Sequence, residues 1–284
     1  MACVGIGALW GFAPTAVSAT VIQHHYFYTS DGVRLHYLEA GKGQPTLLWI
    51  PGWLMPAQIF EAQLKALARQ QRVVVLDPRS QGKSALAKGS HSAPRRARDI
   101  DEWIQKLHVD AFVLAGWSLG VMEGLDYVER YQPSQLKGLI LIDNSIGFGA
   151  APPASTATPE PALSHQAYLH RFVRAMFKHP PTEEFLRMID ASTLRLPAPI
   201  AAQLLAKPYP REYYHDAILH ANVPVLYAIT SRLGYQGEAL TTEFPQARVV
   251  VYPNAGHALF VDEADQFNSD VTAFVRSLPA ASAH

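Results

Sequence analysis

Short apolar segments that alternate with segments of helical periodicity are the feature that most limits what this chain can fold into. The apolar segments lie at 46–50 (TLLWI), 72–76 (RVVVL), 111–115 (AFVLA), 136–142 and 223–229. A strand without a polar face needs cover on both sides, as in a parallel sheet between two layers of helices. The pattern therefore predicts an α/β fold whose sheet is buried on both faces.

The remaining elements complete this pattern. Residues 24–28 and 33–40 flank the turn signal Ser30-Asp31-Gly32 and predict a hairpin, and 248–252 predicts a last strand. Apolar residues at helical spacing predict helices over 56–70, 97–107, 119–131 and 262–278. Together these segments predict eight strands with helices between them.

Composition excludes several classes of function. The 284 residues hold 24 basic and 24 acidic side chains, so the net charge is zero and predicts neither a nucleic-acid partner nor binding to an anionic membrane surface. The single cysteine, Cys3, excludes an intrachain disulfide and a Cys-rich metal site. We expect no metal and no cofactor, since the metal-binding and nucleotide-binding motifs are missing from the sequence.

The first 19 residues predict a cleaved signal peptide. An apolar run at 4–13 is too short to span a bilayer, and Val17 and Ala19 fit a cleavage site after Ala19. The run lacks the usual basic residue before it, so an uncleaved tail or a misassigned start are the alternatives. We expect a periplasmic or secreted protein without a membrane span in the mature chain, and the alternative is a cytoplasmic one.

The alternation breaks in the middle of the chain. Residues 147–161 are rich in proline, alanine, serine and threonine, and 164–220 show helical stretches without clear strands. We predict a core over 20–145 and 222–284, with a helical cap at 146–221 inserted after the sixth strand.

The chemistry centres on Gly116-Trp117-Ser118-Leu119-Gly120, which lies between a predicted strand and a predicted helix. This is the G-x-S-x-G nucleophile elbow in the context that it requires. A serine hydroxyl needs a base, and the elbow predicts the chain order serine, acid, histidine. His257 follows the last predicted strand and precedes the last helix, so it is the candidate base.

From 26 to 278 the chain resembles the α/β-hydrolase superfamily, in its esterase and chloroperoxidase-like branch. Four segments carry the resemblance: Ile50-Pro51-Gly52-Trp53, residues 77–84 (DPRSQGKS), the elbow at Ser118, and Gly256-His257. The resemblance implies a mostly parallel eight-stranded sheet with helices on both faces and a helical cap after strand six. It also implies an oxyanion hole formed by the backbone N–H groups of Trp53 and Leu119.

Two motifs depart from the pattern of the superfamily. Pro51-Gly52 stands where His-Gly is common, and Arg79-Ser80-Gln81-Gly82 stands where Arg-Gly-His-Gly is common. Neither change removes a backbone N–H of the oxyanion hole. We expect rearranged supporting contacts and an intact site.

The acid is a third departure. The loop after the seventh strand, where the superfamily usually has an aspartate, offers no carboxylate before Glu238. Asp143 stands at the end of the sixth strand, the other known place for the acid. We favour Asp143, and keep as alternatives Glu238 and a site whose acid is weak, absent or another residue.

These residues predict a serine esterase that cleaves neutral, apolar acyl or aryl esters through an acyl-enzyme. Trp53, Trp117, Phe172 and Met176 are candidate substrate contacts, and packing within the cap is the favoured alternative for Phe172 and Met176. Lactonase, perhydrolase, cofactor-free haloperoxidase or C–C hydrolase activity could use the same residues, and a ligand receptor without catalysis is the other alternative. The expected partner is a small ester, and the sequence leaves the oligomeric state open.

Overall fold

A computed structural model describes residues 20–151, 163–206 and 208–279. The predicted signal peptide, with Cys3, lies outside the described residues, as does most of the proline-rich segment.

One eight-stranded sheet forms the centre of the molecule. Its order is β1-β2-β4-β3-β5-β6-β7-β8; β2 pairs antiparallel with β1 and β4, and the other pairs are parallel. The predicted fold class and strand number are confirmed. The strands are β1 Gln23–Tyr28, β2 Arg34–Ala40, β3 Thr46–Ile50, β4 Val73–Asp77, β5 Phe112–Trp117, β6 Leu136–Ile142, β7 Val225–Ile229 and β8 Ala247–Val251.

The apolar strands are central because both of their faces are covered. Every residue of β3, β4, β5 and β7 is buried, whereas the edge strands β1 and β8 keep exposed side chains. Burial on both faces is what a continuous apolar strand requires.

Ten α-helices cover the sheet within the described residues, and a 3-10 turn at Ala57–Phe60 precedes the first. They are α1 Glu61–Leu67, α2 Ala93–Leu107, α3 Leu119–Tyr131, α4 His165–Ala175, α5 Glu183–Thr193, α6 Ala198–Leu204, α7 Arg211–Ala221, α8 Gly234–Glu243, α9 Leu259–Asp262 and α10 Ala264–Ser277. None is long and apolar enough to cross a membrane, as far as the described residues show.

Several helices differ from the predictions. The segment predicted as a helix over 56–70 is a 3-10 turn followed by the shorter α1, and the helix predicted over 262–278 is interrupted at Glu263 between α9 and α10. α2 begins at Ala93, four residues before the predicted start, and Pro94 occupies its first turn, where a missing N–H costs nothing. α8 was not predicted, because Gly234, Gly237 and two threonines give that segment low helix propensity and no clear apolar stripe.

The segment between β6 and β7 has two parts. Buried side chains of α4, α5 and α6 belong to the same hydrophobic cluster as those of α1 and α10. Helix α7 packs against α3, and its buried side chains belong to the other cluster, together with those of α2 and α8. The predicted cap over 146–221 therefore includes a helix that belongs to the core by its contacts.

A buried arginine joins three segments that are distant in the sequence. Arg79, which is fully buried, donates to Asp99 of α2 at 2.5 and 2.8 Å, and to Asp31 in the β1–β2 turn at 3.1 Å. Its Nη1 also donates to the carbonyl of Ser90. These bonds fix the loop that follows β4, which is part of the site described below.

We predict that Arg79→Met lowers the free energy of unfolding by about 3–5 kcal/mol, because the buried Asp99 carboxylate loses its fully buried partner and keeps only Arg95. Arg98→Met is the matched control: Arg98 is 57% exposed and pairs with Glu102 on the surface, so its loss costs about 1 kcal/mol or less. Urea unfolding of both variants measures the difference. Equal losses would contradict a special role for the buried pair.

Candidate active site

The elbow is a strained turn between β5 and α3. Ser118 has φ +53° and ψ −120°, a backbone conformation that side chains rarely adopt. A Cβ added at Gly116 would lie 2.4 Å from the carbonyl oxygen of Gly120, and one at Gly120 would lie 2.2 Å from that of Ile50. Both glycines are therefore required by close backbone contacts.

Hydrogen bonds fix the backbone of the elbow. The N–H of Ser118 donates to the Ile142 carbonyl at 3.0 Å, and its carbonyl accepts from the Asn144 side-chain amide at 2.7 Å. The Ser118 side chain is half-buried at the start of α3. The end of the adjacent strand β6 thus holds the strained residue in place.

The structure brings together His257 and Asp143. His257 Nδ1 lies 2.7 Å from Asp143 Oδ2, a hydrogen-bonding distance. The aspartate is 1% exposed and the histidine side chain 27% exposed. Glu238, the alternative acid, is an exposed residue of α8.

Asp143 is held as a carboxylate. Burial alone would raise its pKa, but hydrogen bonds from His257 and from the backbone and hydroxyl of Thr230 keep the pKa below its ordinary value. Both Thr230 donors lie 2.8 Å from Oδ1. A lowered pKa contributes stability above the unfolded-state pKa, and this contribution is lost as the pH falls through the folded-state value.

Trp117 contacts His257 through a hydrogen bond and through its ring. Its Nε1 donates to the carbonyl of His257 at 2.9 Å, and the two rings lie 5.2 Å apart. The indole is 1% exposed and packs edge-on against Phe60 and Phe260. This placement gives Trp117 a packing role, and a contact with substrate stays a prediction.

The predicted oxyanion turn lies against the elbow. A Cβ on Gly52 would lie 3.1 Å from the Ser118 Cβ, so the turn that contains Trp53 passes close to the serine. Leu119, the other predicted donor, directly follows Ser118. Leu54 has φ +63° and donates its N–H to Gln81 Oε1.

Gln81 is a contact that the sequence analysis did not predict. It occupies the position where the superfamily commonly has histidine, and its side chain accepts the Leu54 N–H at 1% exposure. Asp77, also buried, accepts from the N–H of Ala57 in the same turn. The departure at 79–82 is the signal in the sequence for a rearranged contact at Gln81.

Cap residues meet the oxyanion turn through Trp53. Its Nε1 donates to the Ala201 carbonyl of α6 at 2.8 Å, and its ring packs edge-on against Phe172 of α4 at 5.1 Å. Phe172 is half-buried, whereas Met176 is 2% exposed within the cap core. Two of the candidate substrate contacts, Trp53 and Phe172, are therefore brought together.

The described part of the chain contains no group of three or more histidine, cysteine, aspartate or glutamate side chains that could hold a metal ion. A histidine that is paired with a buried carboxylate can act as a general base.

We predict that Gly120→Ala lowers the free energy of unfolding by about 2 kcal/mol or more, since the new methyl group would overlap the backbone of β3. Gly124→Ala, one turn further along α3, is the control. There the added Cβ meets the flexible Leu114 side chain at 3.4 Å, and better helix propensity, up to about 1 kcal/mol, favours alanine. Denaturant unfolding compares the two, and similar losses would contradict the close contact.

Comparisons with known proteins identify the family of this chain. Residues 47–270 match the sequence profile of the alpha/beta hydrolase family. A non-heme haloperoxidase of Rhodococcus erythropolis is 25% identical over 87% of this chain and 98% of its own length. A pimeloyl-[acyl-carrier protein] methyl ester esterase of Vibrio atlanticus is 23% identical over 85% of this chain and 98% of its own length.

Solved structures show the same fold. A putative aryl esterase from Burkholderia cenocepacia superposes with a TM-score of 0.77 at 24% identity, covering 89% of this chain and 98% of its own. An esterase from Exiguobacterium antarcticum superposes with a TM-score of 0.73 at 19% identity, covering 89% of this chain and 99% of its own. The sequence match spans most of the chain, and the protein therefore belongs to the alpha/beta hydrolase family.

Proposed function

We propose that the protein is a serine esterase in which Ser118 is the nucleophile, His257 the general base and Asp143 the acid that orients it. The 2.7 Å bond between His257 Nδ1 and the buried Asp143 carboxylate is the observation that carries this proposal. It supplies the base that a serine at a nucleophile elbow needs.

The tautomer of His257 follows from the state of Asp143. A carboxylate whose pKa is lowered is an acceptor, so it holds the proton on His257 Nδ1. Nε2 is then free to accept the hydroxyl proton of Ser118. The same carboxylate stabilises the imidazolium that forms.

The reaction follows in two halves. Ser118 Oγ attacks the acyl carbonyl while its proton passes to His257 Nε2, and that proton then goes to the departing alkoxide. The resulting acyl-enzyme is attacked by water, which gives a proton to His257 as its oxygen bonds to the acyl carbon. Collapse of this second intermediate returns the proton to Ser118 Oγ and releases the carboxylic acid.

The backbone N–H groups of Trp53 and Leu119 would stabilise the oxyanion in both halves. Each such donor is worth about 3–4 kcal/mol of transition-state stabilisation. Gln81 supports this assignment, because its bond to the Leu54 N–H fixes the peptide that follows Trp53. Gln81 thus supports the oxyanion turn, although histidine is missing at positions 51 and 81.

The substrate class is a neutral ester with an apolar acyl or aryl group. The buried Trp53 and the half-buried Phe172 place two aromatic rings where the cap meets the oxyanion turn. Two relatives bear esterase names and a third is named a non-heme haloperoxidase. A relative named bifunctional esterase/perhydrolase makes perhydrolysis on the same residues the second candidate.

We predict that Ser118→Ala lowers kcat/KM for p-nitrophenyl butyrate by about 10⁴-fold or more, because the nucleophile is lost. Ser134→Ala, an exposed serine ahead of β6, should retain full activity. Hydrolysis that persists in Ser118→Ala would rule out the mechanism.

The choice of acid is tested by Asp143→Asn against Glu238→Gln. Asp143→Asn should lower kcat by about 10⁴-fold, because an amide in this place favours the wrong histidine tautomer. Glu238→Gln changes an exposed residue and should leave kcat within about twofold, since surface substitutions have small effects. A large loss in Glu238→Gln alone would exclude Asp143 as the acid.

A further inference from the structure

The turn that links α4 to α5 lies directly against the loop that carries His257. We call residues 176–179 the cap turn and residues 252–258 the histidine loop. The Ala258 N–H donates to the Met176 carbonyl at 2.9 Å, and Lys178 Nζ donates to the Pro253 carbonyl at 3.2 Å. His179 Nε2 lies 3.1 Å from the Asn254 carbonyl oxygen.

The two segments pack so closely that Gly256 has no room for a side chain. A Cβ there would lie 2.6 Å from the Met176 carbonyl oxygen and 2.9 Å from the Lys178 nitrogen. Both neighbours are backbone atoms, which cannot move aside as a flexible side chain can. The glycine before His257 is therefore required by the approach of the cap.

One carboxylate holds this junction together. Asp262, the last residue of α9, accepts the Gly256 N–H at 2.7 Å and the Lys178 N–H at 2.9 Å on Oδ2. Its Oδ1 accepts the N–H of His179 at 3.1 Å. Three backbone donors from two segments thus share one charged acceptor, and hydrogen bonds to charged groups are stronger than those between neutral groups.

The backbone around His257 has three anchors. Asp262 holds the N–H before it, the Met176 carbonyl holds the N–H after it, and Trp117 holds its own carbonyl. Asp262 also binds the cap turn, and Met176 is part of the cap turn. Of the three contacts, that of Trp117 alone does not involve the cap turn.

We propose that Asp262 is a positioning residue for His257, and that it acts by joining the histidine loop to the cap turn. The catalytic consequence rests on the proposed function, in which His257 is the base. When the carboxylate is lost, the Gly256, Lys178 and His179 N–H groups lose their acceptor, and the imidazole shifts relative to Asp143 and Ser118. The position of the cap turn and the position of His257 therefore both depend on the Asp262 side chain.

The test compares Asp262→Ala, Asp262→Glu and the control Asp265→Ala, an exposed acidic residue in the first turn of α10. For p-nitrophenyl butyrate, Asp262→Ala should lower kcat by about 10²-fold, the loss typical of a misplaced catalytic group, and leave KM within about threefold. Asp262→Glu keeps the carboxylate and should recover most of kcat. Asp265→Ala should behave as the native protein.

A second readout does not depend on activity. The proton on His257 Nδ1 that bonds to Asp143 should give a far-downfield NMR signal, assigned by its loss in His257→Gln. We expect this signal in the native protein and in Asp265→Ala, and expect it to be absent or broadened in Asp262→Ala. Failure of the proposed esterase function would appear as an inactive native protein, while this signal still decides the role of Asp262.

The proposal is overturned if Asp262→Ala keeps both the native signal and the native kcat, or if only its thermal stability falls. It is also overturned if the native protein lacks the signal, or if Asp262→Glu recovers nothing. Where Asp262→Ala does not fold, Asp262→Asn takes its place and the same outcomes apply, because the amide keeps the size but not the two acceptor oxygens.

Discussion

The hydrogen bond between His257 and Asp143 is the interaction on which the site depends. Its partners come from the ends of different strands: Asp143 follows β6, Thr230 follows β7 and His257 follows β8. These strands are neighbours and run parallel, so their carboxyl ends meet at one edge of the sheet. The topology therefore creates the pair, and the hydrogen bonds from His257 and Thr230 keep the aspartate ionised against the opposing effect of burial.

The other half of the site depends on close backbone packing. Gly116 and Gly120 allow α3 to start directly against β3, and Gly52 brings the oxyanion turn to within contact of Ser118. The loop after β4 then supports that turn through Gln81, and Arg79 ties the loop to α2 and the first hairpin. Strain at Ser118 and Leu54 is thus balanced by buried polar contacts in neighbouring loops.

Much of this could be predicted from local sequence, and the rest depends on tertiary contacts. The strand at 46–50, the helix at 119–131 and the elbow have strong local patterns, and the structure agrees with them. Helix α8 has a weak pattern, so it was missed. Asp143 and Glu238 could not be separated by sequence, because only the sheet order decides which carboxylate meets His257. Gln81 binds the N–H of Leu54 and Asp262 binds that of Lys178, and the sequence does not show which distant backbone groups these side chains meet.

Trapping of the acyl-enzyme tests the central claim most directly. The native protein is mixed with a slowly hydrolysed aryl ester, quenched in acid, digested and analysed by mass spectrometry. The account predicts an acyl group on the peptide that contains Ser118, formed in the native protein and not in His257→Gln. An ester that is hydrolysed while the acyl group is found on another residue, or equal acylation in His257→Gln, would contradict it.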